Sequence, residues 1–505
     1  MESVTVNPWF TCSLMLTLKM GLTGAVWLWL FDAVIAGCAS RAGRWLVGMA
    51  LSCLLGMAVI LLTRLALAEC GLAGGWLERA AWLLWLFGGL ALGLVLRGRG
   101  CVRTLRAGVP GLLVLMATVA AVMNLPRGGE WIVGGWDPGI YVNQGLAVAR
   151  TGTFRPTPEL CHASLTEEEL DLFTRGYGRV YREIFPGVPV DLERRAVRHY
   201  FFRLTPALVS VLAEHGGLRA ATRLNFITGV LAAVVLLACL WAQGDGWPHA
   251  LGATVLLALH PLWLYHLHVP VSEMLELFLL AGMGLMIAWR AEHRAANLVL
   301  AVLLLLAILN RFSFLPFAGL LLVGVAWLDA ARSDRARVVE DMLWLVAAIV
   351  VGAFFDLHAT GVSLIRMPHV RRALLAVTGV LVAAAGALDV AGQKGWIRTI
   401  ATAVFGRMRW LGAGAILLLG LGLWSFRYTA ALGPLWGRLM RHEPFLNGVF
   451  LVLAGAGFLV VSGGLFPRPR AFGGWVFVLL GMSVIVLLRP FITPIYPWAT
   501  RRHLS

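Results

Sequence analysis

Apolar runs dominate the sequence, each long enough as a helix to cross the roughly 30 Å of a bilayer's hydrocarbon core, which takes about 20 residues. Hydropathy marks them near 12–38, 45–66, 77–96 and 108–125. After a long polar stretch they resume near 222–242, 250–266, 272–289, 296–310, 312–328, 342–358, 373–390, 411–426, 445–462 and 473–488. That makes about fourteen segments, several short enough to be re-entrant or broken. Lipid offers no hydrogen bonds to an exposed backbone, so spanning segments are helices or a closed barrel. The period-two alternation of a barrel is absent, which predicts an all-α polytopic membrane protein. A soluble fold is excluded by composition: with 59% hydrophobic and 13% charged residues, too few polar groups exist to coat even a large core. No internal repeat or inverted symmetry is visible.

The formal net charge is +16, and apart from Lys19 and Lys394 every Lys or Arg is arginine. The arginines sit in short connections between apolar runs. That is the distribution of topology determinants, with phosphate binding as a second use, and it excludes nucleic acid as a partner. The seven cysteines are scattered without a C-x-x-C pair or a Cys/His cluster at zinc spacing, so neither structural disulfides nor a cysteine-bound metal is expected. Met1 to Phe10 lacks a basic n-region, and no cleavable signal peptide is expected.

Arg97, Arg99, Arg103 and Arg106 assign the connection after the third span to the cytoplasm. The fourth span then carries residues 126–221 to the other side. Later basic connections agree under strict alternation, except Arg366, Arg371 and Arg372, and Arg438 and Arg441. The expected organisation is transmembrane helices in 1–125, an extracytoplasmic loop in 126–221, a helical core in 222–488 and a basic extracytoplasmic segment in 489–505. The expected location is a bacterial-type plasma (inner) membrane. Within the loop, Ser164-Leu-Thr-Glu167 reads as a capping box that opens a short helix through about Phe173. Residues 199–214 put Phe201, Leu204, Leu208 and Leu212 on one face, as in a helix lying in the membrane interface.

The stretch richest in chemistry is Gly134-Gly-Trp-Asp-Pro-Gly-Ile-Tyr-Val-Asn-Gln-Gly-Leu-Ala-Val-Ala-Arg-Thr-Gly152, directly after the fourth span. It has an acid, a tyrosine a few residues on, a run of small residues and a closing glycine. Here the chain resembles the GT-C superfamily of membrane glycosyltransferases, which includes protein O-mannosyltransferases and aminoarabinose transferases. Phe201-Phe-Arg-Leu-Thr-Pro206 with Gly216-Gly217 is similar to the segment where that family's loop re-enters the membrane. Val269-Pro-Val-Ser-Glu-Met274 is similar to its Pro-x-Ser-Glu helix opening, Leu309-Asn-Arg311 to its intramembrane arginine, and Tyr496-Pro-Trp-Ala-Thr-Arg-Arg502 to its late basic loop. The resemblance runs from about residue 125 to the end. Two departures stand out. Many relatives carry two adjacent acids where this chain has Asp137-Pro138, and the family usually continues with further helices beyond the point where this chain stops, which reads as a truncated frame.

The resemblance implies transfer of a sugar from a polyprenyl-phosphate donor to an extracytoplasmic lipid, glycan or protein acceptor, without nucleotide sugar. Asp137 would orient or deprotonate the acceptor hydroxyl. Tyr141 and Asn143 would contact substrate, Glu273 would hold a sugar hydroxyl or a basic partner, and Arg311, Arg501 and Arg502 would hold the phosphate, since guanidinium matches its oxygens in bidentate fashion. Membrane lipids are the other expected partners. The cofactor is left open, a divalent metal at Asp137 included.

Each of these residues has a plainer reading. Asp137-Pro138 is also what a helix start looks like, with Asp as N-cap and Pro at the first position. The positive end of that helix favours an ionised carboxylate, which suits orientation over proton abstraction. Arg311 between two apolar runs is equally a snorkelling residue of a tight hairpin, Glu273 a capping partner of Ser272, and Arg501-Arg502 a pair that binds anionic lipid. His260, His266 and His268 lack the spacing of a metal site. Asp32 and Lys19 read as boundary or paired residues and not as a proton relay. The rivals to an enzyme are a transporter or flippase of lipid-linked sugars and a catalytically silent relative.

Overall fold

The computed structural model describes residues 8–38, 41–97, 137–155, 202–243, 247–259, 261–290, 293–311, 314–329 and 335–359, with short pieces between 157 and 197 and between 372 and 387. The helices are α1 (Pro8–Val26), α2 (Asp32–Gly37), α3 (Arg41–Cys70), α4 (Gly75–Arg97), α5 (Asp137–Thr151), α6 (Leu204–Ala221), α7 (Leu224–Gln243), α8 (Trp247–Ala258), α9 (Pro261–His268), α10 (Glu273–Trp289), α11 (Arg294–Asn310), α12 (Phe314–Asp329) and α13 (Arg335–Ala359). Among the described residues, Ala42–Cys70, Gly75–Arg97, Leu224–Ala242 and Val338–Phe355 are long and apolar enough to cross a membrane. The outward faces of α4 and α13 are apolar too, with Leu84, Phe87, Val95, Leu343 and Phe354 all exposed. Contiguous apolar surface of this kind requires a non-aqueous partner. The chain is a helical, membrane-associated protein. The expected spans at 108–125 and from 411 to 488 lie outside the described residues.

Two expected spans are broken helices. The run 12–38 is helical only to Val26, and then turns through a 3-10 segment, Leu28–Phe31, into α2. Tryptophans cause the break: Trp27 and Trp29 each donate an indole N–H, at 3.1 Å, to the backbone carbonyls of Trp85 and Gly89 on α4. The run 250–266 is split into α8 and α9, where Pro261 lacks the N–H needed to continue the hydrogen-bond ladder.

Close approach orders the first helices. A Cβ on Gly24 would lie 1.8 Å from the Ser52 carbonyl oxygen, and one on Gly56 would lie 1.9 Å from that of Met20. Only glycine lets α1 and α3 pack this tightly, the small-residue contact common between membrane helices. Arg64 on α3 is fully buried and ties three helices together. Its Nε donates to Ser210 Oγ at 2.8 Å, one terminal nitrogen pairs with Glu78, and the other reaches Glu214 at 2.5 Å. At the far end of the bundle, Arg290 Nε donates to Asn297 Oδ1 at 3.0 Å and lies 3.6 Å from Asp341.

The loop region departs from expectation in two ways. It carries a five-stranded antiparallel sheet of β1 (Thr157–Pro158), β2 (Arg175–Tyr177), β3 (Tyr181–Phe185), β4 (Val188–Asp191) and β5 (Ala196–Val197), in the order β1-β5-β4-β3-β2. Short helices alone were expected there. Thr166 and Glu169 form a capping box; the expected one of Ser164 and Glu167 lies outside the described residues. Thr166 N and Oγ1 donate to Glu169 Oε2 at 2.8 and 2.9 Å, and Glu169 N donates back to Thr166 Oγ1 at 3.2 Å. These bonds hold the Glu169 carboxyl below its ordinary range. Finally, the segment expected in the membrane interface is the central helix α6, buried all round from Leu204 to Leu212. Its leucines pack inward because α5, α1 and α3 surround them; Phe201 lies outside the described residues.

Candidate functional site

α5 begins at Asp137 itself, with Pro138 in the first turn, where a missing N–H costs nothing. The helix lies along α6, and Gly145 allows the contact, because a Cβ there would sit 2.2 Å from Val209. Successive residues turn by about 100°, so Asp137, Tyr141 and Gln144 share one face. Tyr141 and Gln144 are buried and Asp137, at the helix mouth, is partly exposed.

The buried part of that face meets the start of α10 and the end of α11. The Tyr141 hydroxyl donates to Ser272 Oγ at 3.4 Å. Asn310, the last residue of α11, donates from Nδ2 to the Ser272 carbonyl at 3.3 Å and accepts from Thr205 Oγ1 at 2.6 Å. This seam joins α5, α6, α10 and α11. Burial pushes the Tyr141 hydroxyl up to about 12, so it stays protonated at neutral pH and acts as a hydrogen-bond donor.

Beside it, Arg311 leaves α11 in an extended conformation and turns its guanidinium onto α10. Nη1 donates to Glu276 Oε2 at 3.0 Å and lies 3.7 Å from Glu273 Oε1. Both carboxylates are buried. The alternative of Glu273 as a capping partner does not hold: Ser272 makes no side-chain cap hydrogen bond, and the glutamate faces the arginine. Nor is Arg311 a snorkelling residue, because its side chain is only 15% exposed.

Two carboxylates share this one guanidinium, so the trio carries a surplus negative charge when both are ionised. That balance disfavours a phosphate beside Arg311 and suits hydroxyl groups, for which carboxylates are strong acceptors. Arg311 thus pairs with two acids in this arrangement. Asn143 is two residues from Tyr141 and roughly opposite it around the helix, away from the cluster. Arg501 and Arg502 lie outside the described residues. No group of three His, Cys, Asp or Glu among the described residues is arranged to hold a metal ion.

The sequence reading missed Glu276 and Gln144. Glu276 carried a signal, since an acid three residues after Glu273 within an apolar helix needs a partner at that depth. Gln144 is fully buried and neither amide atom has a hydrogen-bond partner among the described residues; its period-3.6 spacing from Asp137 and Tyr141 was the available signal. No protein-family model, curated protein or solved structure matches the chain.

Proposed function

We propose that the chain is a multi-pass membrane glycosyltransferase of the GT-C type, moving a sugar from a polyprenyl-phosphate donor to an extracytoplasmic lipid, glycan or protein acceptor. One observation carries the reading: Tyr141, Glu273 and Glu276 gather around Arg311 and Ser272 at a junction of four helices, with Tyr141 one turn along α5 from a partly exposed Asp137. Buried acceptors and donors grouped below an accessible carboxylate suit a ligand rich in hydroxyls.

In this reading Asp137 aligns the acceptor hydroxyl and takes up its proton as the oxygen bonds to the anomeric carbon. The bond between that carbon and the phosphate oxygen breaks, and the polyprenyl phosphate leaves with the bonding electrons. Glu273 and Glu276, held by Arg311, accept hydrogen bonds from sugar hydroxyls; Tyr141 supports the seam through Ser272. The leaving phosphate falls to basic residues other than Arg311, with Arg501 and Arg502 as the candidates.

Replacing Asp137 with Asn removes the negative charge and keeps the shape. Asp137→Asn is expected to abolish transfer at unchanged expression, read by glycan profiling of membranes with and without the gene. Undiminished transfer removes Asp137 from the reaction. A transporter leaves the set of products unchanged in the gene deletion and alters only the side on which lipid-linked sugar collects.

A further inference from the structure

The opposite end of α5 borders a second polar site. A helix of 15 residues spans about 22 Å at 1.5 Å per residue, so this end is too far from Asp137 to hold the same small ligand. The α3–α4 turn docks on it, with Ala73 N donating to the Gly152 carbonyl at 3.1 Å and Phe154 N to that of Ala68 at 3.2 Å. Between them opens a cavity of about 760 Å³, within the range of small-molecule sites.

Its walls carry Lys19 from α1, Arg79 from α4 and Arg150 from α5, together with Glu78 and Glu214. Both glutamates are already bound by Arg64, which lies behind the wall and is itself fully buried. Four cations thus stand against two carboxylates, a surplus of two positive charges, and one oxygen of each acid is held by Arg64, that of Glu78 also by Gly74 N. Lys19 is drawn partly into the protein, its ammonium 5.4 Å from the centre of the Trp82 ring. Arg79 is exposed at the mouth. A cavity that gathers cations from three helices and keeps a positive surplus over its two acids is built for an anion.

We infer that this cavity binds a phosphate group, carried by a lipid headgroup or by a soluble ligand, at a site separate from the Asp137 junction. Guanidinium and ammonium donors converge on it from three sides, and it stands at the end of α3 and the start of α4, two of the helices able to cross a membrane. Occupancy clamps α1, α4 and α5 together, and so stabilises the helix on which Asp137 sits.

The full-length protein, purified in detergent and returned to phosphatidylcholine bilayers with or without phosphatidylglycerol, tests this. Native mass spectrometry counts retained phosphatidylglycerol, and thermal unfolding in phosphatidylcholine alone reads stabilisation by inorganic phosphate. The wild type is expected to show at least one of these effects. The variant Lys19→Met/Arg79→Gln/Arg150→Gln is expected to lose it by about tenfold in affinity, and Arg79→Gln alone, at an exposed position outside the Arg64 cluster, to weaken it while folding normally. Lipid retention without a phosphate response identifies a headgroup site; the reverse identifies a soluble ligand. Absence of both effects in the wild type, or equal binding by Arg79→Gln and wild type, overturns the inference. None of these substitutions touches the Asp137 junction, so the outcome is independent of sugar transfer.

Discussion

Gln144 is the residue whose cost is hardest to explain by packing. A buried amide with neither atom paired costs about 1–3 kcal/mol, and an apolar side chain of similar volume removes that cost. Its neighbour one turn earlier, Tyr141, found a partner in Ser272, so the seam had donors and acceptors to offer, yet Gln144 uses none of them. In the proposed site a ligand hydroxyl would be that partner. Gln144→Leu is expected to stabilise the protein by about 1–2 kcal/mol, seen as a higher midpoint in thermal unfolding, and at the same time to weaken sugar transfer. A variant that gains stability and transfers normally takes Gln144 out of the site. The sequence named Glu273 and Arg311 without pairing them. A charge at membrane depth announces function by default, but whether it grips a ligand or another side chain depends on what stands opposite, and here two acids do.

At the scale of elements, the α1–α3 contact makes the sharpest claim. The methyl of an alanine at Gly56 already lies 1.9 Å from a backbone carbonyl, and backbone cannot swing aside as a side chain does. Gly56→Leu is expected to separate the two helices and to destabilise the fold by about 3 kcal/mol or more. Gly252 on α8 has open space around it, so Gly252→Leu is expected to melt with the wild type. Thermal unfolding in detergent distinguishes the two, and equal midpoints refute the packing argument. Hydropathy located α3, α4, α7, α10, α11 and α13 because length and apolar content are local properties. It missed the breaks at Trp27 and Pro261 for different reasons. Pro261 was legible, whereas the indoles of Trp27 and Trp29 end α1 only because carbonyls on α4 are there to accept their hydrogens.

For the whole molecule, the contact of Gly152 with the α3–α4 turn puts the end of the α5 helix on the same side as Cys70, and the arginines after α4 predict a cytoplasmic Arg97 end. Cys70 is exposed. With Cys70 as the sole cysteine, a membrane-impermeant thiol reagent is expected to label intact cells; with Cys70 replaced and Arg97→Cys as the sole cysteine, labelling is expected only after the membrane is opened. The opposite pattern reverses the orientation and moves Asp137 into the cytoplasm, which ends the case for transfer from an extracytoplasmic donor.

Residue order alone determined that the chain lives with lipid, that most of its long apolar runs are helices, and that a helix starts at Asp137, because all three follow from local hydropathy and backbone chemistry. Tertiary structure decided which face of α6 meets protein, that Arg311 serves two glutamates, and that Lys19, Arg79 and Arg150 share a cavity. Those outcomes rest on contacts between residues far apart in the chain, and no local pattern encodes which side chain will stand across from which.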